Sequence, residues 1–523
     1  MNQNTQTNRM PAGIPFIVVN EFAERFCYYG INAILTVYMV NFLQFGEAQA
    51  TTWQSLFKSG AYMFPLLGAI VSDVFLGKFK TIMIFSMSYV LGCTLLALSA
   101  TPTAMAVGLF FIAVGTGGIK PCVSTNVGDQ FTASNQHLIE RAFSWFYISI
   151  NAGSLISISL CPWLLPNYGP KVAFGLPAVM MAVAVLVFWA GRKRFAVVPP
   201  AGKAWLRDVF SAEGLGIIAR LLLIYLFVAF FWSLWEQSNG QTWVLQAKSD
   251  LMDKDLGFGF TILPAQIQVV NALFILIQVP IFTYGVYPLL NRFFAVTPLR
   301  KMSIGMFLVA FSFVLVAWIE SRIQSGVVTS VWWQILAYFI LTAAEVLVSI
   351  TALEFSYKQA PLKMKSFIMA LFLLSTSVGN LFTAAVNGFM VEPVEAVAAE
   401  TGEQTWVQLT DAGRFVPGQK IDFGGKTGVT VLRPDGSIQP LLGTYLVGEI
   451  DVGAGRVRLM DATTRQPLIS QGEFSAEAST VSTYALVGPM YFLFFAGVMG
   501  IAALIFVIVA VLYRERTFVR ENE

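Results

Sequence analysis

The chain has 523 residues, of which 56% are hydrophobic and only 12% are charged, and its mean hydropathy is +0.67. A soluble globular domain carries about 25% charged residues, so this composition excludes an ordinary water-soluble fold. The formal net charge of +3 gives no reason to expect a nucleic-acid partner.

Apolar blocks long enough to cross a bilayer recur along the chain. A helix needs about 20 apolar residues to span roughly 30 Å of hydrocarbon, and the sequence predicts about twelve such spans. They are expected at 14–44, 52–76, 79–100, 104–127, 141–162, 171–191, 214–247, 258–290, 300–320, 328–357, 364–391 and 482–513. The fold class is therefore an all-α membrane protein. We expect no cleavable signal peptide, because residues 1–10 are polar and the first span is interrupted by charges.

Basic residues concentrate in alternate loops, for example at Lys78, Arg192 and Arg300. The positive-inside rule then predicts that both termini are cytoplasmic, in a multi-pass protein of the cell inner membrane. We expect five parts in the chain. They are a six-helix bundle at 1–191, a cytoplasmic linker at 192–213, helices 7–11 at 214–391, an extramembrane segment at 392–480, and helix 12 with a cytoplasmic tail at 481–523.

The segment 392–480 does not have the composition of a membrane span. It is polar and contains alternating runs, and Pro434-Asp435-Gly436 is a turn signal. We therefore predict a small β-rich insert between the last two spans, on the periplasmic face. The four cysteines fall in or beside apolar blocks and show no disulfide or metal spacing, so we expect no metal site.

The first span carries charges on one face of the helix. Glu21, Glu24, Arg25, Tyr28 and Tyr29 follow offsets of three and four residues. Ionisable groups at membrane depth are costly and usually functional, although an ion pair that only locks helices together is an alternative. Two acids and one base leave an acid that needs a partner.

Lys120 of the fourth span is the expected partner, because it lies at a similar depth. In the second half, Glu345 lies near the middle of the tenth span, and Glu236 lies near the outer end of the seventh. Glu236 is either a gating residue or an interfacial one, and Lys58 of the second span either snorkels or pairs. Cations on one bundle and an acid on the other suggest a zwitterion, such as a short peptide or an amino acid, bridging both halves.

Four motifs together resemble the proton-coupled oligopeptide transporters of the major facilitator superfamily. The first is Glu-x-x-Glu-Arg-Phe-x-Tyr-Tyr at 21–29, and the second is the glycine-rich segment 115–121 that runs on to Gly128-Asp129-Gln130-Phe131. The third is the segment 146–155, and the fourth is Glu345 with Ser349 and the run 353–357. The resemblance covers most of the membrane part and implies two six-helix bundles around a central site.

The resemblance also implies a function and roles for individual residues. The chain would be a symporter, and not an enzyme, that imports di- and tripeptides with protons by alternating access, without a cofactor and as a monomer. Arg25 and Lys120 would hold the peptide carboxylate, and Glu345 would hold the amino terminus. The proton-coupling residues would be Glu21, Glu24, Arg25 and Lys120. The residues lining the substrate site would be Arg25, Tyr28, Tyr29, Tyr62, Lys120, Asn151, Asn271, Glu345 and Ser349. Asp73, in the loop motif after the second span, would latch the cytoplasmic side.

The sequence leaves several alternatives open. Tyr62 and Asn271 are equally compatible with ordinary helix packing. Some family members have a second-span histidine where this chain has Ser55, and the only histidine here, His137, is expected in a cytoplasmic loop, so proton coupling should depend on carboxylates. The same scaffold also suits nitrate or an amphiphilic drug, and a peptide sensor that uses the insert as its binding module is a further alternative.

Overall fold

The computed structural model describes residues 9–132, 135, 138–196, 199–200, 210–257, 259–359, 365–432, 436–486 and 488–513. We number the helices in chain order. They are α1 (Ile14–Asn41), α2 (Glu47–Ile70), α3 (Lys78–Leu98), α4 (Pro102–Asp129), α5 (Ile139–Ala190), α6 (Ala212–Ser238), α7 (Thr242–Lys248), α8 (Val269–Ile281), α9 (Pro298–Gln324), α10 (Val331–Glu345), α11 (Lys365–Phe389) and α12 (Pro489–Leu512). Three of these helices continue through π-helical segments, which are Val71–Leu76 after α2, Phe282–Val286 after α8 and Val346–Ile350 after α10. Short α-helical pieces at Tyr287–Leu290 and Thr351–Gln359 then extend α8 and α10.

The expected number of spans agrees with the helices of the described residues. Ten helices there are long and apolar enough to cross a membrane. One of the ten covers two spans, because α5 breaks at Gly169, where the backbone has φ 76° and ψ 176° and glycine tolerates that conformation. The helix α1 has 28 residues but is not among the ten, since it carries Glu21, Glu24 and Arg25. Counting both halves of α5 and adding α1 gives twelve.

The membrane helices form two bundles with separate apolar cores. The first bundle comprises α1–α5, and its core includes Tyr38 and Phe174, whose rings meet edge to face with centroids 4.9 Å apart. The second bundle comprises α6 and α8–α12, and its core includes Phe313 and Phe495, with ring centroids 6.5 Å apart. Each bundle can therefore move as a packed unit.

Glycines let α2 and α4 approach each other closely in the first bundle. A Cβ added at Gly68 would lie 2.2 Å from the carbonyl oxygen of Gly117, and one added at Gly117 would lie 2.3 Å from the Cβ of Phe64. Helices in lipid associate through such small residues because close van der Waals packing replaces the hydrophobic effect. This contact holds the α4 segment that carries Lys120 against α2.

The strands lie mainly between α11 and α12. They are β1 (Met252–Asp253), β2 (Thr329–Ser330), β3 (Val391–Val394), β4 (Ala396–Glu400), β5 (Trp406–Leu409), β6 (Lys420–Gly425), β7 (Val429–Leu432), β8 (Ile438–Pro440), β9 (Gly443–Asp451), β10 (Arg456–Asp461), β11 (Ile469–Gly472) and β12 (Ser479–Tyr484). The strands β1 and β2 pair with each other in a short parallel sheet.

The segment between α11 and α12, which we call the insert, folds as a small β-domain and confirms the β-rich prediction. Seven strands pair in the order β3-β12-β6-β9-β10-β5-β4. The strands β3 and β4 are separated only by Glu395 yet occupy the two ends of this order, so chain continuity closes the sheet on itself. Phe423, Tyr445, Val447 and Leu459 fill its interior. A second sheet has the order β11-β7-β8. We call the face of the membrane part that carries the insert the insert side.

Candidate functional site

The charged residues of α1 form one buried cluster. The Nε atom of Arg25 lies 2.6 Å from Oε1 of Glu21 and 3.2 Å from Oε2 of Glu24. The helix α5 packs directly against this stretch, because a Cβ on Gly153 would lie 2.5 Å from the carbonyl oxygen of Phe22. Glu24 has no exposed surface, and neither of its carboxylate oxygens accepts a hydrogen bond from a described residue. The guanidinium of Arg25 thus pairs with two carboxylates. Of the two, Glu24 accepts fewer hydrogen bonds from described residues than Glu21.

Lys120 lies between aromatic rings instead of forming the ion pair expected from the sequence. Its Nζ atom is 4.0 Å from the ring centroid of Tyr28 and 4.1 Å from that of Tyr62. The same atom is buried and makes no hydrogen bond to the described residues. A desolvated ammonium over ring faces gains about 2 kcal/mol from cation–π attraction, which stabilises the cation but leaves its hydrogen-bond donors free. Tyr62, which the sequence left open to simple packing, is therefore a direct neighbour of Lys120.

Glu345 of the second bundle is held by two neutral donors. Trp235 donates from Nε1 and Asn271 from Nδ2, both to Oε2 at 2.8 Å. Asn271 also donates to Oγ1 of Thr342 at 3.0 Å, which fixes the orientation of its amide. No cation lies among these partners, so the carboxylate is oriented without being neutralised. Asn271 thus belongs to the surroundings of Glu345, and Trp235 joins it as a neighbour that the sequence analysis had not included among the site residues.

The remaining residues expected to line the substrate site lie on the same helices. The ring of Tyr29 meets that of Tyr28 edge to face, with centroids 5.4 Å apart. Asn151 is half-buried in α5, two residues before the glycine that contacts α1. Ser349 is half-buried in the π-helical segment that follows Glu345. Such π-helical turns within α-helices often occur at functional sites.

Lys58 and Glu236 form a fully buried ion pair between the two bundles. Their Nζ and Oε2 atoms are 2.7 Å apart, and the side chains are 0% and 2% exposed. Lys58 also donates to the backbone carbonyl oxygen of Glu236 at 3.0 Å. The sequence had left snorkelling and pairing open for Lys58 and had not included it among the site residues. In the structure Lys58 pairs with Glu236, and it lies in the contact between α2 and α6.

Further hydrogen bonds between the bundles surround this ion pair on the insert side. Thr36 donates to the carbonyl oxygen of Gly240 at 2.6 Å, and Asn32 donates to the side chain of Asn239 at 3.2 Å. Gln241 donates to the hydroxyl of Ser55 at 3.1 Å. The bundles are therefore joined on the insert side, and the structure shows a conformation that is closed there.

The predicted latch residue lies on the opposite side of the bundles. Asp73 lies in the π-helical segment Val71–Leu76, and its side chain is outside the described residues. Close to that segment, Lys78 at the start of α3 forms an ion pair with Asp129 at the end of α4. His137 also lies outside the described residues.

Comparison with known protein families identifies the chain. A family model described as the POT family matches residues 79–214 and 211–407. The chain belongs to the POT family. This assignment confirms the resemblance seen in the four motifs and the fold class, with two helical bundles of the major facilitator type and a β-rich insert.

Curated relatives of this POT family protein include animal transporters. The solute carrier family 15 member 2 of Danio rerio is 37% identical over 367 residues, which is 61% of this chain and 51% of the relative. Peptide transporter family 1 of Drosophila melanogaster is 37% identical over 60% of this chain and 48% of the relative. The chain thus spans about half the length of the curated relatives it matches.

Solved structures of POT family transporters share the fold. The transporter PepTSo is 33% identical, with a TM-score of 0.67 over 72% of this chain and 90% of that chain. An auto-inhibited POT family peptide transporter is 27% identical, with a TM-score of 0.71 over 98% of this chain and 99% of that chain. The second alignment extends across the insert.

Proposed function

We propose that this POT family protein is a proton-coupled symporter that imports di- and tripeptides by alternating access. The observation that carries the proposal is the distribution of charge between the two bundles. The first bundle presents Arg25 and Lys120, and the second presents Glu345, which has neutral hydrogen-bond partners only among the described residues. A zwitterion of peptide length would satisfy both, with its carboxylate at the cations and its ammonium at Glu345.

Alternating access requires that the ligand hold both halves together and that one side be closed. The buried pair of Lys58 and Glu236 would act as the gate on the insert side, and Asp73 would latch the opposite side. We propose that Tyr29, Asn151 and Ser349 line the space between the two binding ends.

The proton would be carried by carboxylates of the first bundle. Glu24 is buried, and its oxygens accept no hydrogen bond from described residues. Protonation of Glu24 would therefore break no hydrogen bond. Glu21 shares Arg25 with it, which couples the charge of the cluster to the cation expected at the peptide carboxylate. Glu24→Gln should abolish uphill uptake of dialanine and spare counterflow exchange, because binding and conformational exchange do not need the transferred proton. Uphill uptake at the parent rate in that variant would disprove the role of Glu24.

The decisive experiment is uptake of labelled dialanine into proteoliposomes with and without an inward proton gradient. Gradient-stimulated accumulation is expected, and its absence would refute the proposal. A competition assay against labelled dialanine distinguishes peptides from nitrate as the substrate, because nitrate has no ammonium group that could bind Glu345. Dialanine and trialanine should therefore compete with the label, while nitrate at the same concentration should not.

The proposed setting is the inner membrane of a cell, with a monomer, both termini in the cytoplasm and the insert outside. In that orientation the division of the chain at the linker 192–213 separates two halves that rock against each other. Protease accessibility of the insert in sealed right-side-out vesicles would test the orientation.

A further inference from the structure

The insert is tied to the second bundle at both ends and also contacts the first bundle. It follows α11, which ends at Phe389, and precedes α12, which begins at Pro489. Two hydrogen bonds strengthen this attachment. The guanidinium of Arg465 donates to the carbonyl oxygen of Gln324 at 3.1 Å, and the backbone N–H of Asp250 donates to the carbonyl oxygen of Thr463 at 3.3 Å. The insert therefore moves with the second bundle.

The contact with the first bundle is made at the corner between α1 and α2. The Nζ atom of Lys420 forms an ion pair with Glu47 at the start of α2. A Cβ added at Gly46 would lie 1.8 Å from Oδ2 of Asp422 and 2.5 Å from its Cγ. The Asp422 carboxylate on β6 thus occupies the space that a side chain at residue 46 would need.

The insert also supplies the N-terminal cap of α2. The N-cap residue is Gly46, which makes no side-chain cap hydrogen bond, so the first N–H groups of α2 need other acceptors. The N–H of Glu47 donates to Oγ1 of Thr444 at 2.9 Å, and the N–H of Ala48 donates to the hydroxyl of Tyr484 at 3.3 Å. A helix of one bundle is therefore capped by side chains that belong to the other half of the molecule.

We propose that the insert is a clamp that fastens the first bundle to the second on the insert side. Opening on that side separates the bundles, so it must release Lys420 from Glu47 and uncap α2. The clamp adds to the Lys58–Glu236 gate, favours the conformation closed on the insert side, and sets how often that side opens. The clamp depends on the proposed transport function only in one respect, which is that the first test below measures dialanine uptake.

A disulfide across the corner tests the clamp directly. The Cγ of Asp422 is 2.5 Å from the position of a Cβ on Gly46, which places the two Cβ atoms within about 4 Å, a separation that suits a disulfide. Gly46 has an extended backbone with φ −63° and ψ 151°, which cysteine adopts readily. The four natural cysteines are buried, so copper phenanthroline should oxidise the introduced pair selectively.

The matched control is a disulfide inside the insert. Gly424 and Thr480 are paired across β6 and β12, and a Cβ on Gly424 would lie 4.0 Å from that of Thr480. Oxidised Gly46→Cys/Asp422→Cys should lose dialanine uptake and counterflow at least tenfold and recover both with dithiothreitol. Oxidised Gly424→Cys/Thr480→Cys should transport like its reduced form. Unchanged transport by completely cross-linked Gly46→Cys/Asp422→Cys would overturn the clamp.

A distance measurement tests the clamp without any substrate. Spin labels at Thr103→Cys in the first bundle and Val328→Cys in the second lie at exposed positions on the insert side. Adding Lys420→Ala and Thr444→Ala should increase the population with the longer label separation several-fold, whereas adding the exposed Glu400→Ala should not. An unchanged distribution would overturn the clamp. Absence of dialanine uptake by the parent protein, together with the expected shift in distance, would refute the proposed function and leave the clamp standing.

Discussion

Breaking the buried ion pair between Lys58 and Glu236 should open the insert side of the protein. The two side chains are 0% and 2% exposed, so Lys58→Met leaves an uncompensated carboxylate in the closed contact. Removing one partner of a buried pair costs about 3–5 kcal/mol, and about 1.4 kcal/mol corresponds to a tenfold change in an equilibrium. Because Glu236 regains water when the bundles separate, the cost falls on the closed conformation, and the closed-to-open ratio should fall by about a hundredfold or more.

Spin-label distances between Thr103→Cys and Val328→Cys measure this ratio. The control is Lys58→Met/Glu236→Leu, because an apolar replacement of a buried pair is often close to neutral. The double variant should therefore return most of the way to the parent distribution. The reasoning is refuted if the single variant leaves the distances unchanged, or if the double variant opens as far as the single one.

Three further changes test other parts of the structure. Trp235→Phe removes one of the two donors that orient Glu345. A hydrogen bond to a charged group contributes about 1.5–3 kcal/mol, so dialanine affinity measured by competition should fall by about ten- to a hundredfold, while N-acetylated dialanine binds weakly to both proteins. Gly117→Ala forces a methyl group into the contact between α2 and α4 and should cost about 1–3 kcal/mol, seen as a lower melting temperature in detergent, whereas Gly216→Ala, with nothing within 4 Å, should not destabilise. Burial raises the pKa of Asp422 to about 6, so the clamped state binds a proton more tightly than the released state and the closed population should grow as the pH falls from 7 to 5. Asp422→Asn should remove that dependence, and a pH profile unchanged by this variant would contradict it. The titratable groups around this carboxyl are Glu47, Lys420 and Tyr484.

Features that depend on local sequence were predictable. Span number and the β-rich insert follow from the length and polarity of consecutive residues, and the fourth family motif singled out Glu345 as a candidate site residue, whereas Asn271 stayed equally compatible with helix packing. The depth of Glu24 and Lys120 in their helices was also readable, because helical rise converts residue number into distance.

Features that depend on which helices meet were not predictable. The burial of Lys58 requires Glu236, which lies far along the chain on another bundle, and the aromatic surroundings of Lys120 require the ring of Tyr62 from α2. The cap of α2 could not be predicted either, since Gly46 offers no side chain and the acceptors come from the distant insert.

The place of the insert in the chain also dictates the order in which the protein is assembled. The last helix, α12, contributes Phe492 and Phe495 to the core around Phe313 of α9, yet it is synthesised after the insert. The second bundle therefore stays incomplete until the insert between Met390 and Gly488 has been synthesised. A substitution that slows folding of the β-domain would thus reduce the yield of correctly assembled membrane protein even though it lies outside the two bundles.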